Sequence, residues 1–360
     1  MSPLAKAVEK AGLTALLRKR NPLLISAGDF FTESELIRKE FSKIVTCPAA
    51  NVAIIPSASY GISTIANNIP LKRGDEVVVL GGQFPSNVYP WQRLVNESCA
   101  KQITVEPPNN LNNRGAKWNQ RILESINTKT KVVAMGHVHW ADGTLFDLQA
   151  IRKRASDVNA MLIIDGTQSV GALPLDVSIL KPDALVCAGY KWLMGPYTTG
   201  LAYYSDRFFN GRPLEENWIT RKASEDFTAL VNYREEYQPG ARRFDMGERS
   251  NFILNPMLLA ALKMVNDWKP ARVQQYAQKI TANPLQTLRG YGWWIEDNHF
   301  RASHLFGLRP EAPVDIDKLK KRLLKARIAV SYRGDVIRVA PHVYNSETDL
   351  WRLVEEISKI

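Results

Sequence analysis

The chain has 360 residues, 45% of them hydrophobic and 23% charged, an ordinary globular composition with length enough for a large core and two domains. Its net charge is +11, but the basic residues are scattered and carry no nucleic-acid module signature, which sets nucleic-acid binding aside as a main function. No apolar run is long enough to span a membrane, the basic N-terminus lacks the continuous apolar stretch of a secretion signal, and Cys47, Cys99 and Cys187 suit neither a metal spacing nor a disulfide framework; the expectation is a cytoplasmic protein.

Residues 3–20 read as a helix with a basic end. A second helix is predicted over 32–45, with Thr32 as N-cap and Glu35 three positions later. A strand at 52–56 runs into Ser57-Ala58-Ser59-Tyr60-Gly61, which opens a helix through Asn68. A small-residue turn leading into a helix N-terminus suits an anion, because unpaired N–H groups point outward there; the plainer alternative is an ordinary serine cap. The next strand, 76–80, ends in Gly81-Gly82-Gln83-Phe84, ahead of a helix containing Trp91. Phe84 at that strand tip can stack on a flat ring, or simply pack in the core.

Strands at 103–106 and 131–136 flank a helix near 117–125, and the second ends in His137-Val138-His139-Trp140. Nothing else in the sequence completes a ligand set for the two histidines, so no metal is expected. One of them is read as a core histidine, and His139 as facing substrate. A helix over 147–155 then leads into the central stretch.

That stretch, 161–204, holds three short apolar runs (161–164, 184–188 and 201–204), each bounded by Gly, Pro, Asp or Thr as buried strands are. Asp165 ends the first run, followed by Gly166-Thr167-Gln168, and Lys191 follows the second within Gly189-Tyr190-Lys191-Trp192. In an open α/β sheet chemistry gathers where strands end, so a carboxylate and an amine stand at neighbouring strand tips. An amine with a lowered pKa forms Schiff bases with carbonyls. A carboxylate beside a pyridine nitrogen keeps it protonated, so that the ring can accept electrons. A turn aspartate and a solvated lysine are the plain alternative; the tight, apolar loop closed by Gly195-Pro196 argues against it.

Beyond Tyr204, residues 206–240 are irregular and are read as an active-site excursion. Helices follow at 256–267 and 271–288, the second containing or ending at Pro284. Residues 304–360 read strand, helix, strand, strand, helix, a compact α+β unit, with a basic solvated helix face at 318–325. Arg338 alternates with apolar residues in Val336-Ile337-Arg338-Val339; such an arginine is paired when buried, either internally or with a substrate carboxylate.

The pattern DGTQSVG…AGYKWLMGPYTTGLAYY, within 165–204, resembles the class V aminotransferases, pyridoxal 5′-phosphate (PLP) enzymes that include cysteine desulfurases, kynureninases and isopenicillin N epimerase-like proteins. The similarity extends from about residue 30 to the C-terminus. It implies the α/β PLP-dependent transferase fold (type I, aspartate aminotransferase-like). A large domain over 31–265 would carry a mostly parallel seven-stranded sheet. A small α+β domain over 266–360 would be joined by the N-terminal segment 1–30. It also implies a homodimer with shared active sites and a small-molecule amino acid or amine as substrate. Lys191 would form the Schiff base, Asp165 would partner the pyridine nitrogen, and Gln168 would bond the ring hydroxyl. Ser59, Tyr60 and Tyr190 would hold the phosphate, Phe84 would stack on the ring, and Arg338 would hold the substrate carboxylate. Trp140 stands where desulfurases carry an asparagine near the ring hydroxyl. In the segment that would cross to the partner's phosphate, Glu248 occupies the usual hydroxyl position, leaving Ser250 and Asn251 as candidates.

Two departures shape the expected activity. Related chains begin with a short strand and an Asn-containing turn ahead of a Ser-Pro-Leu-like segment, whereas this sequence starts Met1-Ser2-Pro3-Leu4; an upstream start, a trimmed chain, and a site built without that turn all stay open. The loop before Arg338, Ala329 to Asp335, has no cysteine for persulfide chemistry. The main expectation is therefore transamination, epimerisation or elimination on an amino acid. The alternatives are desulfurase- or selenocysteine lyase-like activity without a loop cysteine, and a PLP-fold binding protein without turnover. A nicotinamide oxidoreductase would need a G-x-G-x-x-G after a strand, which is absent.

Overall fold

The computed structural model describes residues 1–359. Two helices, α1 (Lys6–Lys19) and α2 (Asp29–Val45), precede an alternation of strands and helices. In chain order these are β1 (Val52–Ile55), α3 (Ala58–Ala66), β2 (Glu76–Leu80), α4 (Tyr89–Ser98), β3 (Lys101–Val105), α5 (Arg114–Ser125), β4 (Thr130–Gly136), α6 (Leu148–Asp157), β5 (Met161–Asp165), α7 (Val177–Leu180), β6 (Ala184–Ala188) and β7 (Gly200–Tyr204). The strands form one seven-stranded sheet in the order β1-β7-β6-β5-β4-β2-β3. β7 pairs antiparallel with both neighbours and the other pairings are parallel.

The parallel strands read as continuous apolar runs because helices cover both faces. Successive residues feed opposite layers: Val78, Leu80, Val133, Met135, Leu162 and Ile164 pack with α2, α5 and α6, whereas Val77, Val79, Val132, Ala134 and Ile163 pack with α3 and α4. Helical crossovers place every parallel strand's carboxyl end on one edge, so the β4, β5 and β6 tips, and the loops that follow them, meet there.

After an irregular stretch come α8 (Leu254–Trp268) and α9 (Pro270–Gly290), then β8 (Trp293–Trp294), β9 (Phe306–Pro310), α10 (Ile316–Lys325), β10 (Ser331–Arg333), β11 (Val336–Val339) and α11 (Glu347–Ser358). Their strands form a second, antiparallel sheet ordered β10-β11-β9-β8. It has its own core, which includes Leu288, Phe306, Leu308, Leu323, Ile337 and Leu353. β8 escaped the sequence reading because two residues show no period. Gly143 lets this unit approach the β4 loop: its φ is +77°, and a Cβ there would lie 2.0 Å from the Leu305 carbonyl oxygen.

Three expectations are corrected. Thr32 does not cap α2; the helix starts at Asp29, and the Thr32 hydroxyl donates to the Gly28 carbonyl at 2.9 Å. α1, grouped by sequence with the small C-terminal unit, packs instead on α8, where Gly12 lies under Met257 and Val8 joins the large core. The 206–240 excursion does not line the cavity at the strand tips. Its Trp218 and Phe227 pack edge-on against each other and against Phe30.

Candidate active site

Asp165 is the last residue of β5, and its Oδ1 accepts the Thr167 amide at 3.0 Å. Lys191 lies three residues past β6 on a loop closed by backbone bonds from Gly189 to Thr199 (2.7 Å) and from Gly195 to Gly189 (2.8 Å). Burial lowers the Lys191 pKa; the Asp165 charge opposes that shift, and Arg338 and Arg333 add to it. Asp165 and Lys191 thus sense one another, yet neither forms an ion pair among the described residues. The amine sits 5.5 Å from the Phe84 ring centre and 5.8 Å from that of Tyr190.

Other predicted residues close around this pair. Phe84, exposed on one side, meets Trp140 edge-on at 5.4 Å. The Trp140 indole donates to the Gly82 carbonyl at 2.8 Å. Gln168 accepts from the Trp192 indole at 3.1 Å and has no recorded partner for its amide nitrogen among the described residues. Arg338 reaches over from β11, donating to the Trp140 carbonyl at 2.7 Å. Its Nε has no hydrogen-bond partner, no carboxylate pairs with it among the described residues, and burial followed by Arg333 lowers it to about 10. A cavity of about 110 Å³ is lined by Met1, Ser2, Gln168, Lys191, Trp192, Arg338 and His342, among others. A larger groove, about 580 Å³, lies beside α9 and holds Arg289 and Arg301, but no amine stands opposite a carboxylate in it.

At the start of α3, Ser57 is the cap: its hydroxyl accepts the Tyr60 amide at 3.2 Å and lies 2.9 Å from the Ser59 hydroxyl. The Tyr60 ring packs against the core, with its hydroxyl raised by burial and then by Glu215 and Asp245. The Tyr60 side chain thus belongs to the core, while the Ser57 and Ser59 hydroxyls lie together at the helix start. Tyr190 packs on Tyr197 with ring centres 4.5 Å apart, and its carbonyl accepts both the amide and the hydroxyl of Ser2.

Three candidates do not join the cluster within the chain. His139 is buried, with one ring nitrogen 3.1 Å from Asp142 and the other 3.2 Å from the Gly82 carbonyl. Both nitrogens are committed to the framework, which corrects the substrate-facing reading. Ser250 donates to the Phe30 carbonyl, and Asn251 accepts the amides of Ile253 and Leu254 at the start of α8. Among the described residues no group of His, Cys, Asp and Glu is placed to hold a metal.

Sequence reasoning passed over Arg333, Asp142 and His342. Asp142 is a buried hub, paired with Arg114 at 2.9 Å and reached by Arg309 from β9 at 3.5 Å. His342 is buried between Trp192 and Tyr344, at ring-centre distances of 5.4 and 5.2 Å, with neither ring nitrogen hydrogen-bonded. No periodic signal in its stretch separates such a histidine from core aromatics.

The residues present fit a phosphorylated pyridine: a carboxylate with one oxygen unclaimed, an amine whose pKa is lowered by burial, an aromatic face, and a serine-rich helix start. Comparisons with known proteins agree. An uncharacterized aminotransferase of Bacillus subtilis is 25% identical over 331 residues, covering 91% of this chain and 83% of the relative. A probable cysteine desulfurase of Methanothermobacter thermautotrophicus is 22% identical over 342 residues, covering 90% and 82%. Among solved structures, the apo cysteine desulfurase of Thermococcus onnurineus superposes with a TM-score of 0.83 at 20% identity, over 99% of this chain and 92% of that one. A mutant of C-DES with glycine covalently linked to its PLP cofactor gives 0.86 at 18% identity, over 99% and 94%. The fold is therefore that of PLP-dependent cysteine desulfurases. The aminotransferase class-V profile spans residues 26–335, taking in Ser59, Phe84, Asp165 and Lys191, and the chain belongs to that family.

Proposed function

We propose that this chain is a PLP-dependent enzyme acting on an amino acid, with Lys191 as its central residue. The observation that carries this reading is the placement of the Lys191 amine, its pKa lowered by burial, on the loop after β6 beside the strand that ends in Asp165, a carboxylate with which it forms no ion pair. When bound, PLP supplies an electron sink for charge developing at the carbon that bears the amino group. Asp165 would hold a proton on the ring nitrogen, and Phe84, which Trp140 packs against, would offer the ring an aromatic face. Gln168 donates its free amide to the ring hydroxyl. Ser59 and Tyr190 would hold the phosphate. Arg338 anchors the substrate carboxylate, which fixes the amino-bearing carbon beside Lys191, and the Lys191 amine moves that carbon's proton.

Transamination, epimerisation and elimination share these parts. Attack by an enzyme thiol does not fit them. Cys187 is buried on β6 with its thiol pushed up by burial, partly buried Cys47 is pushed up to about 12, and no cysteine lies on the β10–β11 hairpin. We propose further a cytoplasmic homodimer in which Ser250 and Asn251 serve the partner's phosphate. No helix of the described residues is long and apolar enough to cross a membrane.

The test is to titrate the PLP-loaded protein with amino acids and with the matching amines that lack a carboxylate. The expected result is a change in cofactor absorption with amino acids that is weakened in Arg338→Ala. Equal responses to the amines, or no response to any amino acid, would overturn the reading.

A further inference from the structure

Lys191 is flanked by a second guanidinium besides Arg338, and the hairpin that carries both is built to bring them together. β10 and β11 are joined by Gly334-Asp335, with Gly334 at φ +60°, and register pairs Ser331 with Arg338 and Arg333 with Val336. Residues opposite one another share a face, so Ser331, Arg333, Val336 and Arg338 lie together, while Ile337 points into the small core. The shared face is turned toward the strand tips of the large sheet. There the Arg333 guanidinium carbon stands 5.1 Å from the Trp140 ring centre, and Arg338 donates to the Trp140 carbonyl. The Nε of each arginine is buried without a hydrogen-bond partner. Nor does any carboxylate form an ion pair with either among the described residues. The nearest acid in sequence, Asp335, is taken by Arg309, which also reaches Asp142. Two like charges held close and unpaired are costly until anions arrive.

We infer that Arg333 forms a second anion subsite beside Arg338, so that the substrate is an amino acid whose side chain ends in an acid. This rests on the proposed function, in which Arg338 takes the carboxylate next to the amino group. Arg333, on the Trp140 side, takes the distal carboxylate, sulfinate or sulfonate, with a planar fork suited to two oxygens. It is a specificity residue and takes no part in proton transfer.

The experiment measures, by calorimetry and thermal shift on the PLP-loaded full chain, the binding of L-aspartate and L-glutamate against L-asparagine, L-glutamine and L-alanine. The expected result is roughly tenfold or greater preference for each acid over its amide, since an amide leaves the guanidinium unpaired. That preference should fall to about one in Arg333→Gln and persist in part in Arg333→Lys, with circular dichroism confirming that both variants fold. Equal binding of acids and amides by the native protein overturns the inference while leaving the proposed function standing. So does a loss in Arg333→Gln that is as large for alanine as for glutamate, because Arg333 would then share the first carboxylate. If no amino acid of either set binds, the proposed function fails and the inference falls with it.

Discussion

Two groups of arginines, one buried and one partly buried, behave differently in this molecule. Beneath β1, Arg38 is wholly buried and pairs with Asp245, while Arg249 lies 3.3 Å from the same carboxylate. Glu35 joins Arg38 to Arg242, and Asp245 also accepts the Ile54 amide at 2.8 Å. On the β10–β11 hairpin, Arg333 and Arg338 have the neighbourhood of Lys191 but no carboxylate. A buried arginine therefore does not mark a site by itself; what sets the hairpin apart is that its two guanidinia, without a carboxylate, both act on Lys191. The first group ties α2 and the segment before α8 to the sheet, and the second leaves charge for a ligand to meet.

The largest expected effect falls on the paired group. Asp245→Ala strands two buried arginines and a backbone amide, and should cost about 3–5 kcal/mol of stability in chemical denaturation. Arg338→Ala should change stability by less than about 1 kcal/mol, because it removes an unpaired charge. A comparable loss in the two variants would break the contrast.

Histidines extend it. His304 is bonded through both ring nitrogens, to the Gln168 carbonyl at 2.7 Å and to Gln274, whereas His342 has no such partner; burial lowers them to about 3 and about 4. The unfolded chain takes up these protons near pH 6.5 and the folded chain only at those lower values. Stability is therefore complete above pH 6.5 and declines as pH falls through the window, by roughly 1.4 kcal/mol per pH unit for each histidine. Melting temperatures across pH 7 to 4 would trace the decline, and His342→Phe should make it shallower while the His304 share remains.

A smaller effect concerns affinity. Arg338→Ala should weaken amino-acid binding by about 2 kcal/mol, roughly thirtyfold, measured by calorimetry, with Arg338→Lys recovering part of it. The smallest expected change is in Ser331→Ala. The Ser331 hydroxyl lies 3.4 Å from Arg338 at the edge of hydrogen-bond range, so the loss should stay below about 1 kcal/mol.

Much of this architecture was legible in the sequence. Strands buried on both faces announce themselves as apolar runs, and the residues at their ends, Asp165 and Lys191, follow from the runs themselves. The start of α2 was not legible, because Asp29 rather than Thr32 begins the helix and Ser26 and Arg18 engage its carboxylate. The commitment of His139 to Asp142 and the Gly82 carbonyl depends on two loops meeting, which no local pattern carries. Arg333 could have been found: Gly334-Asp335 between alternating residues is a hairpin signal, and its register puts Arg333 on the Arg338 face.

Borohydride reduction of the PLP-loaded protein, followed by peptide mapping, asks most directly whether Lys191 is the residue that holds the cofactor. The expected result is a pyridoxyl mass on the peptide containing Lys191, absent in a folded Lys191→Ala variant. A label on a different lysine, or none after PLP is added in excess, would contradict it.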